Sequence, residues 1–277
     1  MQRAWRLIMA LREWMFTHPC TSHCGNVLLK LIAAIPEVSA MLEEALEINA
    51  QFAGPHHQKS LLKKHSPDHN EGVALSVMRP CDSRFGLNFL VVLRLIRLQA
   101  ALASCCADAT WDAKLGTDSD SARVKERINH KPWWENTTAI MRIVYPMCLI
   151  VKMGGFNQGS LSKLYPQMKK AEALWSAAST GTEGIQKKIS TAILEIIGEN
   201  EVEDDDGDDQ NRWQMMKSDL AVCAYVMDPM FFEQKVRRKL RRRTDATYHT
   251  CAPMAAMVRS DCKAGFRSCL RENSWLQ

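Results

Sequence analysis

The chain has 277 residues, of which 46% are apolar and 24% charged, a balance typical of a folded globular protein that excludes wholesale disorder or a collagen-like repeat. Its longest uncharged apolar runs are nine residues, well short of the roughly 20 that span a bilayer, so no transmembrane helix is predicted. The formal net charge is +5, but seven of the 36 basic residues lie in Lys235–Arg243, and the remaining 29 are outnumbered by 31 acidic residues.

The first part of the chain is predicted to hold one strand, one clear helix and one loop. The strand is expected at Trp14–Thr17, just before a cysteine–histidine cluster. Residues 37–48 follow Pro36, a favourable first helical residue, and their apolar side chains fall on one face, which predicts an amphipathic helix. Gly54–Gly72 holds four of the eight histidines among polar residues and is interpreted as a loop.

The middle of the chain contains its most apolar helical segment. Residues 86–103 are apolar on nearly all sides and are interrupted by Arg94 and Arg97, which predicts a buried helix that carries two guanidinium groups. Gly116–Ser121 is rich in aspartate and serine and is predicted to be a loop.

Two further helices are predicted toward the C-terminus. Residues 133–152 are again strongly apolar, and Pro146 is expected to kink or break the helix. Residues 185–197 repeat isoleucine at helical spacing, and Gly198 supplies a stop signal. Glu199–Asp209 carries eight acidic residues in eleven, and this self-repulsion predicts a solvated loop.

His18, Cys20, His23 and Cys24 form the densest set of candidate metal ligands. A structural zinc site needs four ligands, and no second pair at zinc-finger spacing follows, so a role without metal is favoured. A catalytic Cys–His pair is also disfavoured, because a third, orienting group is not evident. Ten cysteines without a secretory signal near the start predict a reducing compartment.

Lys235–Arg243 is predicted to contact nucleic acid or to act as a nuclear-import signal, because charge this dense is unusual on an ordinary solvated face. We call this segment the basic strip. Its seven cations are Lys235, Arg237, Arg238, Lys239, Arg241, Arg242 and Arg243.

Trp133 and Trp134 suit a stacking platform for a base, but paired tryptophans at a helix start more often anchor a core, and the core role is predicted. The sequence contains no Gly-rich phosphate loop, no His-Glu-x-x-His motif and no nucleophile elbow. Three carboxylates, Asp82, Asp219 and Asp228, have no partner that spacing alone assigns.

Five blocks follow one another in an order that is itself informative: Phe16–Cys24 with its Cys-x-x-His spacing, Asn26–Ile32, Arg79–Leu90, Trp134–Met168 and Ser218–Phe232. Together they resemble the hAT superfamily of transposases, especially its plant-type lineage.

This resemblance implies an RNase H-like core interrupted by a long helical insertion, and a DNA transposase activity that uses three carboxylates and two Mg²⁺ ions. Cys20 and His23 match the family motif that lies beside the metals and engages the DNA end. The carboxylates expected before this motif and after the insertion are not found in the chain. The expectation is therefore a truncated, catalytically inactive protein that holds no cofactor.

The predicted fold class is mainly α, with a helical insertion attached to a fragment of an RNase H-like α/β core. Residues 1–33 are assigned to that fragment, 34–232 to the insertion, and 233–277 to the basic strip and a poorly ordered tail. The predicted function is residual, non-specific DNA binding in the nucleus through Cys20, His23 and the basic strip. Self-association is possible, and no membrane partner is expected.

Two alternatives stay open. A helical protein-interaction module would use the apolar helices 86–103 and 133–152 to bind partner helices. The second alternative is an active DNA transposase of the same family, of which this sequence covers only a part. Its metal-binding carboxylates would then lie outside these 277 residues.

Overall fold

The computed structural model describes residues 18–54, 56–81, 86–115, 118–155, 161–181, 184–199, 202–203 and 209–228, together with Leu7 and Leu11. These residues are mainly helical. The helices are α1 (Thr21–Ala33), α2 (Pro36–Ala53), α3 (His56–His69), α4 (Gly86–Ala107), α5 (Ala109–Leu115), α6 (Ser119–Asn129), α7 (Lys131–Gly155), α8 (Leu161–Ser179), α9 (Ile185–Glu199), α10 (Arg212–Met216) and α11 (Asp219–Met227).

The two most apolar helices, α4 and α7, lie at the centre and pack against each other. Helices α2, α3 and α6 cover α4, whereas α1, α8 and α9 cover α7. Large side chains such as Phe89, Trp111, Trp175 and Trp213 are fully buried in one continuous core. The Trp175 indole also donates to the carbonyl of Ile143 in α7 at 2.8 Å, so its polar edge is satisfied inside the core.

The helices predicted from apolar periodicity over 37–48, 86–103, 133–152 and 185–197 are confirmed, each within a longer observed helix. Pro146 lies inside α7, which continues on both sides of it, so of the predicted kink or break the break is excluded and the kink stays a prediction. The last residue of α9 is Glu199, one residue after the predicted stop signal Gly198.

The prediction of a loop at Gly54–Gly72 is wrong over most of its length, since α3 occupies His56–His69. This helix has little apolar character, but Leu61 and Leu62 are buried against α4. Lys64 and His65 both contact the Asp108 carboxylate, at 2.7 and 3.0 Å. Tertiary contacts therefore select the helix despite its weak local signal.

The loop predicted at Gly116–Ser121 is also shorter than expected. Helix α6 already begins at Ser119, because Asp118 acts as its N-cap and accepts from the backbone N–H of Ser121 at 3.0 Å.

The acidic segment Glu199–Asp209 is not entirely a loop. Val202–Glu203 (β1) pairs in antiparallel register with Asp209–Gln210 (β2), so part of the predicted loop belongs to a minimal two-stranded ladder. The strand predicted at Trp14–Thr17 and the tail from 233 onward lie outside the described residues.

By length and composition, α4 and α7 could each cross a membrane, and α1 with α2 pass the same test as a pair bent by 96°. The expectation that no helix is long and apolar enough was therefore wrong. The prediction relied on the length of uninterrupted apolar runs. Isolated polar residues shorten such runs in α4 and α7 but lower the mean hydropathy of each helix only slightly. In this fold, the apolar faces of α4 and α7 contribute to the protein core.

Candidate nucleic-acid interface

Cys20 and His23 lie at the start of α1, and both side chains are exposed. Cys20 is the residue before the first helical turn, and its side chain makes no capping hydrogen bond. Cys20 has an extended backbone, and His23 follows three residues later in the first turn of α1. Two groups that can donate hydrogen bonds are therefore exposed at this helix start.

His18 connects this helix start to a distant part of the chain. One ring nitrogen (Nδ1) lies 2.8 Å from the Ser218 hydroxyl and the other (Nε2) lies 3.1 Å from the Thr21 hydroxyl. Ser218 is also the N-cap of α11, where its oxygen accepts from the N–H of Ala221. Burial lowers the pKa of His18, which favours the neutral ring. A half-buried imidazole thus bridges the starts of α1 and α11.

Cys24 is buried, whereas Cys20 and His23 are exposed. Burial raises the pKa of its thiol, and the Arg212 guanidinium of α10, which hydrogen-bonds to the sulfur, opposes that rise. The two cysteines of the cluster therefore have different environments, one buried beside a cation and one exposed.

The end of α7 lies directly against the start of α1. A Cβ built on Gly154 would lie 2.5 Å from the Ser22 backbone nitrogen and 2.8 Å from the Thr21 Cβ, closer than real Cβ atoms approach. The end of α7 therefore packs on the first turn of α1 at Thr21 and Ser22, and the exposed side chains of Cys20 and His23 lie beside this contact.

The surface can donate hydrogen bonds to an anion such as a phosphate oxygen, through His23 and Cys20. Within the described ranges, no three His, Cys, Asp or Glu side chains converge as a metal-binding group. His18 and Cys24 lie at the same helix start as Cys20 and His23. Their side chains, however, contact other parts of the protein.

The remaining residues that the sequence analysis singled out are not part of this helix start. The basic strip lies outside the described residues. Trp133 and Trp134 are buried in an edge-to-face pair at 4.6 Å, so their prediction as core anchors is confirmed. Asp228 accepts from the Ser162 hydroxyl at 2.5 Å.

Sequence reasoning missed Arg212 and Ser218 as neighbours of the cluster. Ser218 sits 200 residues from His18, and no local pattern reports such a contact. The available signal was the position of Ser218 before an apolar run, which is typical of a helix N-cap.

Comparisons of this chain with protein-family models, curated proteins and solved structures returned no match. The resemblance to hAT transposases therefore remains a hypothesis that depends on the sequence blocks.

Proposed function

We propose that this chain binds DNA non-specifically, as a relative of hAT transposases that has lost their catalytic chemistry. The observation that carries the proposal is the basic strip, with seven cations in nine residues. Such a strip neutralises phosphates and releases counterions, which supports affinity without reading base sequence. Nuclear localisation is proposed on the same ground, because a basic segment of this kind also suits an import signal.

The exposed pair at the start of α1 supports the proposal as a second, smaller contact. Cys20 and His23 match the family motif that engages the DNA end, and both are accessible. We further propose that residues 1–33 descend from the RNase H-like core and that the helices after them descend from the insertion.

The alternative of a helical interaction module receives less support from the packing. It relies on the apolar surfaces of α4 and α7, whereas most of their large apolar side chains, such as Val92, Leu95 and Val144, are buried in the core.

Fluorescence anisotropy with a labelled DNA duplex over a salt series tests the proposal. The logarithm of the binding constant should fall linearly with the logarithm of salt concentration, with a slope approaching about −6 if all seven cations contact phosphates. The double variant Arg237→Gln/Arg238→Gln should reduce that slope by about 2. Lys163→Gln/Lys170→Gln removes the same charge from exposed positions on α8 and is the matched control.

Equal losses in the two double variants would contradict a specific role for the basic strip, as would binding that is insensitive to salt. A second assay addresses chemistry: incubation of the purified chain with supercoiled DNA and Mg²⁺ should leave the DNA intact. Nicking above the level of a mock preparation would overturn the non-catalytic part of the proposal.

A further inference from the structure

A cleft of about 420 Å³ separates the exposed edge of α3 from the segment 74–80. Lys59 and Lys63 are four residues apart on α3, so they stand on one face of this wall. Segment 74–80 forms the other wall and runs without a helix, turn or bend. The cleft is thus a groove between helix α3 and a stretch of backbone that has no regular secondary structure.

The groove combines an apolar floor with a cationic rim. Phe52 and Leu75 are buried beneath it and contribute apolar lining. Three exposed cations, Lys59, Lys63 and Arg79, line the walls, and no carboxylate does so among the described residues. Charge and polarity therefore suit an anionic occupant that also has apolar groups.

Segment 74–80 is held from two opposite sides. The N–H of Leu75 donates to the Ser66 hydroxyl of α3 at 2.8 Å, whereas the carbonyl of Ser76 accepts from Arg94 of α4 at 3.3 Å. Successive residues of an extended chain direct their backbone polar groups to alternate sides. By this alternation we expect the N–H of Val77 to be directed toward α3, as that of Leu75 is.

Beyond Leu75, no described residue pairs with this edge. In the described part of the chain, the backbone N–H groups of Val77, Met78 and Arg79 have no hydrogen-bond partner. Pro80 restricts Arg79 to an extended conformation, which keeps the edge straight. An unpaired backbone edge beside an apolar floor is the arrangement to which an extended peptide adds as a strand.

Arg94 adds a positive charge behind the segment. Its side chain is 5% exposed, its Nε has no hydrogen-bond partner, and no described carboxylate pairs with it. Desolvation and the neighbouring Arg97 both lower the pKa of Arg94, which agrees with the lack of a compensating anion. A buried, uncompensated cation beside the groove raises the local positive potential.

We propose that this groove binds an extended acidic peptide, which adds to the backbone edge of residues 77–79 and pairs its carboxylates with Lys59, Lys63 and Arg79. The apolar side chains of the peptide would pack on the accessible apolar lining of the groove, which is formed by Ala53, Val77 and Met78. This site is separate from the DNA contacts proposed above and does not depend on them.

A fluorescein-labelled peptide of sequence Glu-Val-Glu-Leu-Glu-Val-Glu is the probe, and its binding to the full chain is measured by anisotropy at low salt. Lys59→Gln/Lys63→Gln should weaken binding about tenfold, because two charged contacts are lost. Lys163→Gln/Lys170→Gln carries the same charge change outside the groove and should leave the affinity unchanged.

A second matched pair tests the backbone edge. Val77→Pro removes an N–H that faces the groove and should weaken binding about tenfold, whereas Met78→Pro removes one on the opposite side and should have little effect. Circular dichroism checks that each variant folds. Hydrogen exchange on the unaltered chain is independent of the variants: the amides of Val77 and Arg79 should become protected when the peptide is added, and that of Met78 should change little.

Several results would overturn the proposal. The acidic peptide could fail to bind, or the amides of Val77 and Arg79 could stay unprotected in its presence. Val77→Pro could bind the peptide as tightly as the unaltered chain does. Strand addition would then be excluded, and only the charge attraction of the lysines and Arg79 would explain the binding. Displacement of the peptide by octanoate would identify a site for small amphiphilic anions, and displacement by a DNA duplex would identify a nucleic-acid surface.

Discussion

His18 shows how one side chain can connect two helix starts that are far apart in the chain. Its ring lies between the hydroxyls of Thr21 and Ser218, and each hydroxyl stands at the beginning of a helix. A neutral imidazole satisfies this arrangement, because one nitrogen donates and the other accepts. Each hydroxyl can also accept, so a protonated ring can donate to both; it is burial that disfavours the charged form.

This arrangement predicts a pH-dependent loss of stability. Burial lowers the pKa of His18 below 6.5 in the folded chain, so the unfolded chain binds more protons between the folded pKa and 6.5. Stability should therefore be complete above about pH 7 and should fall as the pH drops through that window. Urea unfolding of the chain and of His18→Asn at about pH 7.5 and about pH 5 measures this dependence.

The unaltered chain should lose more stability on acidification than His18→Asn does. His56→Asn, at an exposed position on α3, is the control and should retain the full dependence. If His18→Asn keeps the same dependence, a different group is responsible.

At the scale of the elements, two glycines allow α1 and α7 to pack unusually closely. A Cβ on Gly25 would lie 2.6 Å from the Val151 Cγ2, and one on Gly154 would meet the Ser22 backbone. The first obstacle is a side chain, which can rotate, but the second is backbone, which cannot move without shifting a helix. Gly154 therefore sets the distance between the end of α7 and the start of α1.

We expect Gly154→Ala to lower the free energy of unfolding by about 1–3 kcal/mol, the usual cost of forcing atoms into a filled contact. Gly155→Ala is the control, because its Cβ would have only an ordinary contact, 3.7 Å from the Ser22 hydroxyl oxygen. That substitution should be neutral or slightly stabilising, since alanine favours helix over glycine. The free energy of unfolding of both variants is measured with denaturant. Equal values would contradict the close contact between Gly154 and the Ser22 backbone.

At the scale of the whole molecule, α1 belongs to the same core as the helices that follow it. Leu28, Leu29 and Ile32 are fully buried, and they pack in a cluster that extends as far as Met216. Burial of each such side chain contributes about 1.5–3 kcal/mol, so α1 accounts for a large share of a typical total stability. The predicted division between residues 33 and 34 stays a prediction, but the packing continues across it.

A shared core predicts cooperative unfolding. Leu28→Ala should lower the free energy of unfolding by about 2–5 kcal/mol and should shift the whole transition, whether it is followed by tryptophan fluorescence or by helical circular dichroism. Lys30→Ala, on the exposed face of the same helix, should change stability by less than about 0.5 kcal/mol. Two separate transitions, of which only one moves, would instead indicate that α1 belongs to an independent unit.

The helices that were predicted correctly share one property: their apolar residues are numerous or regularly spaced. α4 and α7 were found because each is strongly apolar over several turns, a signal that exists before any tertiary contact forms. α3 was missed because its outer residues are polar and only Leu61 and Leu62 are apolar anchors. Its stability depends on α4 and on Asp108, residues that its own sequence does not contain.

Only the part of the candidate site that is contiguous in sequence was predictable. Cys20 and His23 are three residues apart, so both belong to one helix start whenever a helix begins there. The contacts of His18 with Ser218 and of Cys24 with Arg212 join parts of the chain that are nearly 200 residues apart. Local spacing contains no information on such pairs.

By itself, the sequence determined the mainly helical class, the position of the most apolar helices, the burial of Trp133 and Trp134, and the concentration of positive charge in residues 235–243. These properties depend on local periodicity, bulk hydrophobicity and composition. Only the tertiary structure decided which face of α1 is exposed, that α3 is a helix, and that segment 74–80 borders a cationic groove. Those outcomes depend on long-range packing, in which a residue's environment is set by side chains that are distant along the chain.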